Sequence, residues 1–289
     1  MDGIIIINKQ AGCTSHDIVY KVKKISNEKV GHTGTLDPLA EGVLPILIGK
    51  GTLCSKYLIN HDKKYFVKLQ LGIKTETADK EGKIVETQNV DKNILNKENV
   101  INILNSFIGK QEQIPPIYSA IKVNGKKLYE YARNGKNVEI KPRVVEIYDI
   151  KLQDIDKEKN QINFIVHCGK GTYIRSLCED IATKLGTIGY MEYLQRTEVG
   201  KFKIKNSIKI EQLENDKKIL EKNIIPIEKI FENKKIIKLS DKQLKMFLNG
   251  VKIFQEFPDD IYRIYNNNNN KFIGTGIVNE KKLKRDIIL

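Results

Sequence analysis

Two residues of opposite charge, Asp37 and Arg175, sit where their types are hard to explain by packing alone. Asp37 lies within Gly31-His-Thr-Gly-Thr-Leu-Asp-Pro-Leu-Ala-Glu-Gly-Val-Leu-Pro45, a stretch punctuated by three glycines and two prolines. Glycines supply backbone conformations that other residues resist and prolines fix φ, so this density describes a loop held in one shape. The loop runs into Val43-Leu-Pro-Ile-Leu-Ile48, which reads as a buried strand with a proline near its start. A carboxylate on such a shoulder beside the core is a candidate for acid–base or nucleophilic work. An Asp-Pro pair is also an ordinary way to begin a turn. Arg175 falls in the first turn of a helix that follows Gly169-Lys-Gly-Thr172. A cation there opposes the helix dipole by up to about 1 kcal/mol, which suggests that it pairs with an acid or a phosphate.

The segment Gln111 to Arg143 changes character, with many lysines and arginines interleaved with Tyr118, Tyr129 and Tyr131. Such a surface grips phosphates and stacks on bases; the same composition also fits a solvated insertion with core tyrosines. The formal net charge of +14 over 289 residues points to a polyanionic partner, although richness in Lys, Asn and Ile also follows from a genome biased toward A and T. Cys13, Cys54, Cys168 and Cys178 form no C-x-x-C pair, and the adjacent His167 and Cys168 point to opposite faces of a strand. The pattern fits free thiols in a reducing cytosol and offers no metal-ligand set. No apolar run approaches the roughly 20 residues needed to span a bilayer, and the start lacks a basic n-region. The expectation is a cytoplasmic protein with no membrane partner.

These residues need elements to place them. Gly3 to Asn8 reads as a short buried strand, and Thr14-x-x-Asp17 as a capping box that starts a helix with Ile18, Val19, Val22 and Ile25 on one face. A second helix is expected over Thr52 to Ile59. Lys64 to Gly72 alternates as a strand with Tyr65, Val67, Leu69 and Leu71 on one face. Thr75 to Gly82 is a polar turn. Asn96 caps a helix to Ile108 whose stripe is Val100, Leu104, Phe107 and Ile108, ended by Gly109. Ser119 to Val123 is a short strand, Asn124-Gly125 a turn, and Lys126 to Arg133 a basic helix. Strands follow at Val144 to Ile155, Ile162 to Cys168 and Tyr190 to Glu198, with a helix between the last two and a charged helical stretch from Ser207 to Asn223. From about Ile236 a separate small unit is expected: a strand, a helix capped by Ser240, an Asn249-Gly250 turn, and a hairpin tipped by Asn266 to Asn270.

The motifs together resemble the tRNA pseudouridine-55 synthases, the TruB family, and their RNA-guided relatives. The Gly31 to Pro45 stretch is similar to the family signature. Asn8-Lys9-x-x-Gly12-x-Thr-Ser15 resembles its first motif, Lys64-Tyr65 with its strand the motif carrying the active-site tyrosine, and Pro116 to Gly135 the RNA-gripping insertion. Cys168-x-Lys-Gly-Thr-Tyr-Ile-Arg175 resembles the motif carrying the active-site arginine, and Leu194 falls in the Tyr-Leu-x-Arg segment. The likeness runs from residue 3 to about residue 200. It resumes in Leu248-Asn-Gly250 and Phe272-Ile-Gly-x-Gly276, which look like a PUA domain. The first motif commonly has Lys-Pro, and here it is Lys9-Gln10, a slightly looser turn.

The resemblance implies an α/β (α+β) catalytic domain over residues 1–232, built on a long mixed, mainly antiparallel sheet with an insertion at about 111–143. A small PUA-like β-barrel would occupy 233–289. The implied reaction isomerises uridine in the T-loop of tRNA by breaking N1–C1′ and forming C5–C1′, without cofactor, metal or obligatory protein partner. Asp37 is then the essential aspartate, Arg175 its partner, and Tyr65 the ring packed on the flipped uracil. His32, Lys9 and Leu194 are implied substrate-binding residues, Lys9 by charge and Leu194 as pocket lining. The rival readings are an RNA-guided synthase, a non-catalytic tRNA-binding or folding protein, and an N-glycosidase.

Overall fold

A computed structural model describes residues 1–136 and 138–289; Asn137, inside the basic insertion, lies outside that description. The central sheet runs in the order Gly3–Lys9, Glu41–Ile48, Gly189–Val199, Lys63–Leu71, Gln161–Cys168, Arg143–Asp156, Gly109–Gln113, with Val30–His32 and Phe202–Lys203 pairing off this path. Neighbours are antiparallel except Glu41–Ile48 beside Gly189–Val199, so the sheet is mixed and mainly antiparallel, as the family resemblance implies. The opening isoleucine run does not alternate because both faces of its strand are covered. Ile5 and Ile7 pack with Ile18 and Val22 of the Ser15–Ser26 helix, while Ile4 and Ile6 pack on the other side with Val43, Leu47 and Phe231. The Thr14–Asp17 capping box forms as expected.

Val30–His32 and Glu41–Ile48 are antiparallel partners, so Thr33 to Ala40, with Asp37 in it, is the loop that joins them. Pro45 sits in this sheet without breaking a ladder. Gly42 is the last residue paired to Gly189–Val199 and Ile46 the first paired to Val30–His32, so the missing N–H falls in the gap between them. Helices Lys97–Asn105 and Ile174–Lys184 cover the far half of the sheet, over a core that contains Tyr65, Val67, Phe164, Leu177 and Leu194.

Ile236–Leu239, Asp260–Asn266, Phe272–Asn279, Lys282–Ile288 and Ile253–Phe254 form a second, five-stranded sheet that curls into a half-barrel beside the Asp241–Leu248 helix. It has its own core around Phe247, Tyr262 and Ile264, yet it is not independent at its seam. Ile287 is buried with Ile4, Val43, Leu47 and Cys54 of the first sheet, and Phe272 and Ile261 pack against that cluster. Asp286, its side chain 3% exposed, accepts hydrogen bonds from Tyr57 Oη (2.6 Å) and Thr275 Oγ1 (2.8 Å) and pairs with Lys56.

Several elements differ from the sequence reading. The helix expected over Thr52 to Ile59 is a tighter 3-10 turn, Gly49–Cys54, followed by one α-turn, Ser55–Leu58. Glycine is needed at 51 because a Cβ there would lie 2.1 Å from the Gly3 carbonyl oxygen. The Asn96-capped helix ends at Asn105, and Ile108 is exposed rather than part of the stripe. The strand expected over Ser119 to Val123 shrinks to Lys122–Val123, paired with Lys126–Lys127 across the Asn124-Gly125 turn. Lys282–Ile288 and Gly109–Gln113 are additional strands.

Gly42 adopts φ +107°, and a Cβ there would meet the Arg196 carbonyl oxygen at 2.2 Å. Both strain and clash fall on the one parallel pairing that holds the Asp37 loop to the sheet. Gly42→Ala should lower the unfolding free energy by about 3 kcal/mol or more. Urea titration of the variant checks this, and a midpoint shift worth well under 1 kcal/mol would show that the strands can part there without cost.

Candidate active site

The loop carrying Asp37 lines a cleft of about 990 Å³ whose walls come from segments spread between Thr33 and Arg196. Asp37, Tyr65, Arg175 and Leu194 all line it. Tyr65 and Leu194 reach it because Lys63–Leu71 and Gly189–Val199 are paired, with Tyr65 opposite Arg196 and Val67 opposite Leu194. Period two then puts Tyr65, Val67, Leu194 and Arg196 on one face.

Arg175, 5% exposed, forks onto Asp37 with Nε 3.1 Å from Oδ2 and Nη2 3.3 Å from Oδ1. Its other donors reach the carbonyls of Thr77 (3.2 Å) and Tyr118 (3.0 Å), and Nη1 lies 3.5 Å from Asp79 Oδ2. A cation at a helix start is therefore accommodated by two carboxylates in front of it. The start of that helix is pinned by Gln113, whose amide donates to the Tyr173 carbonyl (3.0 Å) and accepts from the Tyr173 N–H (2.8 Å), as a neighbouring strand would. Asp79 is itself fixed in the Thr75 to Gly82 turn, accepting from Thr77 Oγ1 (2.5 Å) and the Glu81 N–H (3.1 Å).

The Asp37 carboxyl is displaced above the usual carboxylate range. Loss of bulk water in the cleft is the dominant cause, Arg175 and Lys9 pull the other way, and Asp79 adds to the rise. Burial likewise pushes the Tyr65 phenol up to about 12, against the pull of Arg196. His32 is held below its ordinary value by burial, then by the nearby Arg196 charge, and its Nδ1 accepts from the Gly34 N–H (3.2 Å). With Nδ1 accepting, its neutral ring carries the proton on Nε2, and it ends the strand before the loop, outside the cleft lining.

Lys9 has a different surrounding from the one expected of a substrate-binding residue. It is fully buried, and its Nζ donates to the carbonyls of Gln10 (2.9 Å), Cys13 (2.7 Å) and Pro38 (3.0 Å). All three donors are spent beneath the loop, and burial lowers its affinity for a proton. Three site residues were not singled out from sequence: Asp79, Gln113 and Arg196. Arg196 carried a signal, a charge at an inward position of an otherwise apolar face; Asp79 and Gln113 carried none beyond polarity.

Residues 22–174 match the family model of the TruB family pseudouridylate synthase N-terminal domain. Residues 175–232 match the tRNA pseudouridylate synthase B C-terminal domain, and 236–284 the C-terminal region of pseudouridine synthase II TruB. The chain belongs to the TruB family. It is thus a pseudouridine synthase, an isomerase, and its C-terminal half-barrel fits a PUA-like fold. Among curated relatives, the tRNA pseudouridine synthase B of Clostridium kluyveri is 45% identical over 98% of each chain. That of Caldanaerobacter subterraneus subsp. tengcongensis is 40% identical over 98% of each, and that of Staphylococcus aureus (strain Newman) 43% over 90% of this chain and 88% of its own. A chain of a Cbf5-Nop10-Gar1 complex superposes with a TM-score of 0.68 at 26% identity, covering 96% of this chain and 78% of that one. A chain of an H/ACA RNP bound to a substrate RNA containing 2′-deoxyuridine shares the fold at a TM-score of 0.70 and 22% identity, over 99% and 85%.

In this TruB-family site the two neighbours of Asp37 act on its proton with opposite sign. Arg175→Met removes a cation and should move the Asp37 titration midpoint to higher pH. Asp79→Asn removes a like charge and should move it lower. Carboxyl carbon NMR of selectively labelled protein reads both; midpoints that move together, or do not move, would contradict the electrostatic arrangement.

Proposed function

We propose that this chain isomerises the T-loop uridine at position 55 of tRNA to pseudouridine, with Asp37 as the acid that attacks or supports C1′ when N1–C1′ breaks. The observation that carries the reading is the forked Asp37–Arg175 pair at the floor of a cleft shared with Tyr65 and Leu194. The tRNA substrate is supported by relatives at 40–45% identity along nearly the whole chain, each a tRNA pseudouridine synthase B. A target uridine in a folded loop must leave its stack to reach such a floor. Tyr65 then packs on the uracil, Leu194 borders it, and His32, at the rim, faces the RNA. Arg175 keeps the Asp37 carboxylate oriented toward C1′. Lys9 holds the loop from beneath through Pro38 instead of contacting RNA.

Grip comes from elsewhere. In the insertion Lys127 Nζ lies 5.3 Å and the Arg133 guanidinium 5.4 Å from the centre of the Tyr129 ring, and both Tyr129 and Arg133 line the cleft. A cation-flanked ring on a basic strand–turn–helix suits an RNA backbone with exposed bases. We read the protein as a stand-alone cytoplasmic enzyme, with residues 1–232 carrying the chemistry and 233–289 adding affinity.

Purified protein and a tRNA transcript, with nothing else but buffer, test this. Pseudouridine should appear at position 55, and Asp37→Asn should slow single-turnover formation by on the order of 10³-fold or more while tRNA affinity stays within about threefold. Free uracil in place of pseudouridine would make it a glycosidase, and tight binding without product would make it an RNA-binding protein.

The terminal unit calls for point changes because its seam is buried with the first sheet. Lys281, Lys282 and Lys284 are exposed on or beside its last strand. Replacing all three by alanine should weaken tRNA binding without changing the rate at saturating enzyme. It should also flatten the log–log salt dependence by about one unit for each phosphate no longer neutralised. An unchanged slope would remove this face from the RNA interface.

A further inference from the structure

Arg196 is 2% exposed, and none of the ion pairs among the described residues includes it. Its Nε donates to the Val43 carbonyl (2.7 Å), Nη1 to Thr35 (3.3 Å) and Nη2 to Gly34 (3.0 Å). Backbone dipoles thus occupy three of five guanidinium donors. The titratable groups within reach of its charge are Tyr65, Asp37, His32, Lys9 and Lys63. Asp37 is the one carboxylate among them, and it is already forked by Arg175. Burying a cation without an anion of its own is costly. The charge itself therefore needs a reason. At 2% exposure it cannot reach the RNA backbone, yet it lines the cleft, on the sheet face shared with Leu194 and directly across from Tyr65.

We propose that Arg196 is a positioning residue whose charge serves the reaction: from beside Tyr65 it stabilises the negative charge that uracil carries while detached from the ribose. The inference rests on the site being that of a pseudouridine synthase acting on uridine. When N1–C1′ breaks, the bonding pair leaves with uracil and spreads over N1, O2 and O4, and C1′ becomes electron-poor toward the Asp37 carboxylate. C5 then bonds to C1′ with a pair from the uracil anion, C5 gives up its proton and N1 takes one up, so uridine and product have the same atoms and charge. A fixed cation near the uracil lowers the energy of the separated state, as preorganised charge does where a transition state develops it. The same guanidinium ties the Asp37 loop, through Gly34 and Thr35, to the strand that bears Leu194.

The discriminating measurement is the dependence on leaving group. Single-turnover rates at saturating enzyme are compared for tRNA with uridine or 5-fluorouridine at the target, the latter followed as loss of the intact nucleoside. Fluorine stabilises the uracil anion, so an enzyme short of anion stabilisation is helped by it. Arg196→Gln should slow uridine conversion on the order of 10²-fold, with tRNA affinity within about threefold, and slow fluorouridine cleavage about tenfold less. Arg196→Lys, which keeps the charge but loses the fork, should keep the wild-type ratio of the two rates. Equal slowing of both substrates by Arg196→Gln would overturn the proposal and leave a loop clamp only. If that variant does not fold, a rate ratio changed about tenfold in Arg196→Lys would overturn it instead, and an unchanged ratio supports it. A wild-type protein that makes no pseudouridine retires the underlying reading, whereas an active wild type with an unimpaired Arg196→Gln retires this inference alone.

Discussion

The arrangement depends on a buried guanidinium held between two carboxylates. Arg175 is attached to a helix whose dipole disfavours it, and its burial removes the water that would otherwise solvate it. Asp37 and Asp79 supply the missing countercharge, and the Thr77 and Tyr118 carbonyls take the remaining donors. These four partners come from three segments: Asp37 from the Thr33 to Ala40 loop, Thr77 and Asp79 from the Thr75 to Gly82 turn, and Tyr118 from the basic insertion. One side chain thereby fixes three loops that have no ladder in common. Asp79, facing the same cation, works against it at Asp37 and adds to the rise that loss of water produces there.

Much of this was legible in the sequence, for physical reasons that differ by residue. Asp37 was visible through the glycines and prolines around it, since backbone restriction leaves a local composition. Arg175 was visible because its sign is wrong for its place on a helix. Asp79 was not, because its role comes from a fold contact across about a hundred residues and its turn shows only polarity. Lys9 was assigned to the site, but its type could not reveal that three carbonyls would surround it. Among the strands, Gly109–Gln113 contains no large apolar residue and exists only because Arg143–Asp156 offers it an edge. Lys282–Ile288 was hidden by charges at the positions between Leu283 and Ile287, the two that are buried.

The terminal half-barrel shows the same limit at the level of domains. Its composition and spacing read as a separate unit, and its sheet is separate. Its burial is not, because Ile287 is a core residue of the first sheet's cluster and Asp286 is locked by Tyr57 and Lys56. A hydrophobic residue at the end of a strand carries no mark of which core it will enter. RNA bound by this unit would consequently be held at a fixed distance from the cleft, without the play a flexible linker would give.

The loop that bears Asp37 is short of backbone partners, and this shapes what lies beneath it. Between Thr33 and Ala40 the chain forms no ladder, so its carbonyls need donors from elsewhere. Two buried cations provide several of them, Lys9 to Pro38 and Arg196 to Gly34, Thr35 and, just past the loop, Val43, while Ser15 Oγ serves Leu36 and the Gly12 and Ala40 N–H groups serve Pro38 and Asp37. Long cationic side chains suit the task because they span the distance from strand to loop and present several donors at one end. Neutral amides are shorter and would leave carbonyls unmet, which in a buried place costs about 1–3 kcal/mol each. Holding a carboxylate-bearing loop this way has an electrostatic consequence that packing by apolar residues would not have. The positive charge that shapes the loop remains beneath it, close to the Asp37 carboxyl, so the geometry of the loop and the electrostatics around its carboxyl are set by the same side chains.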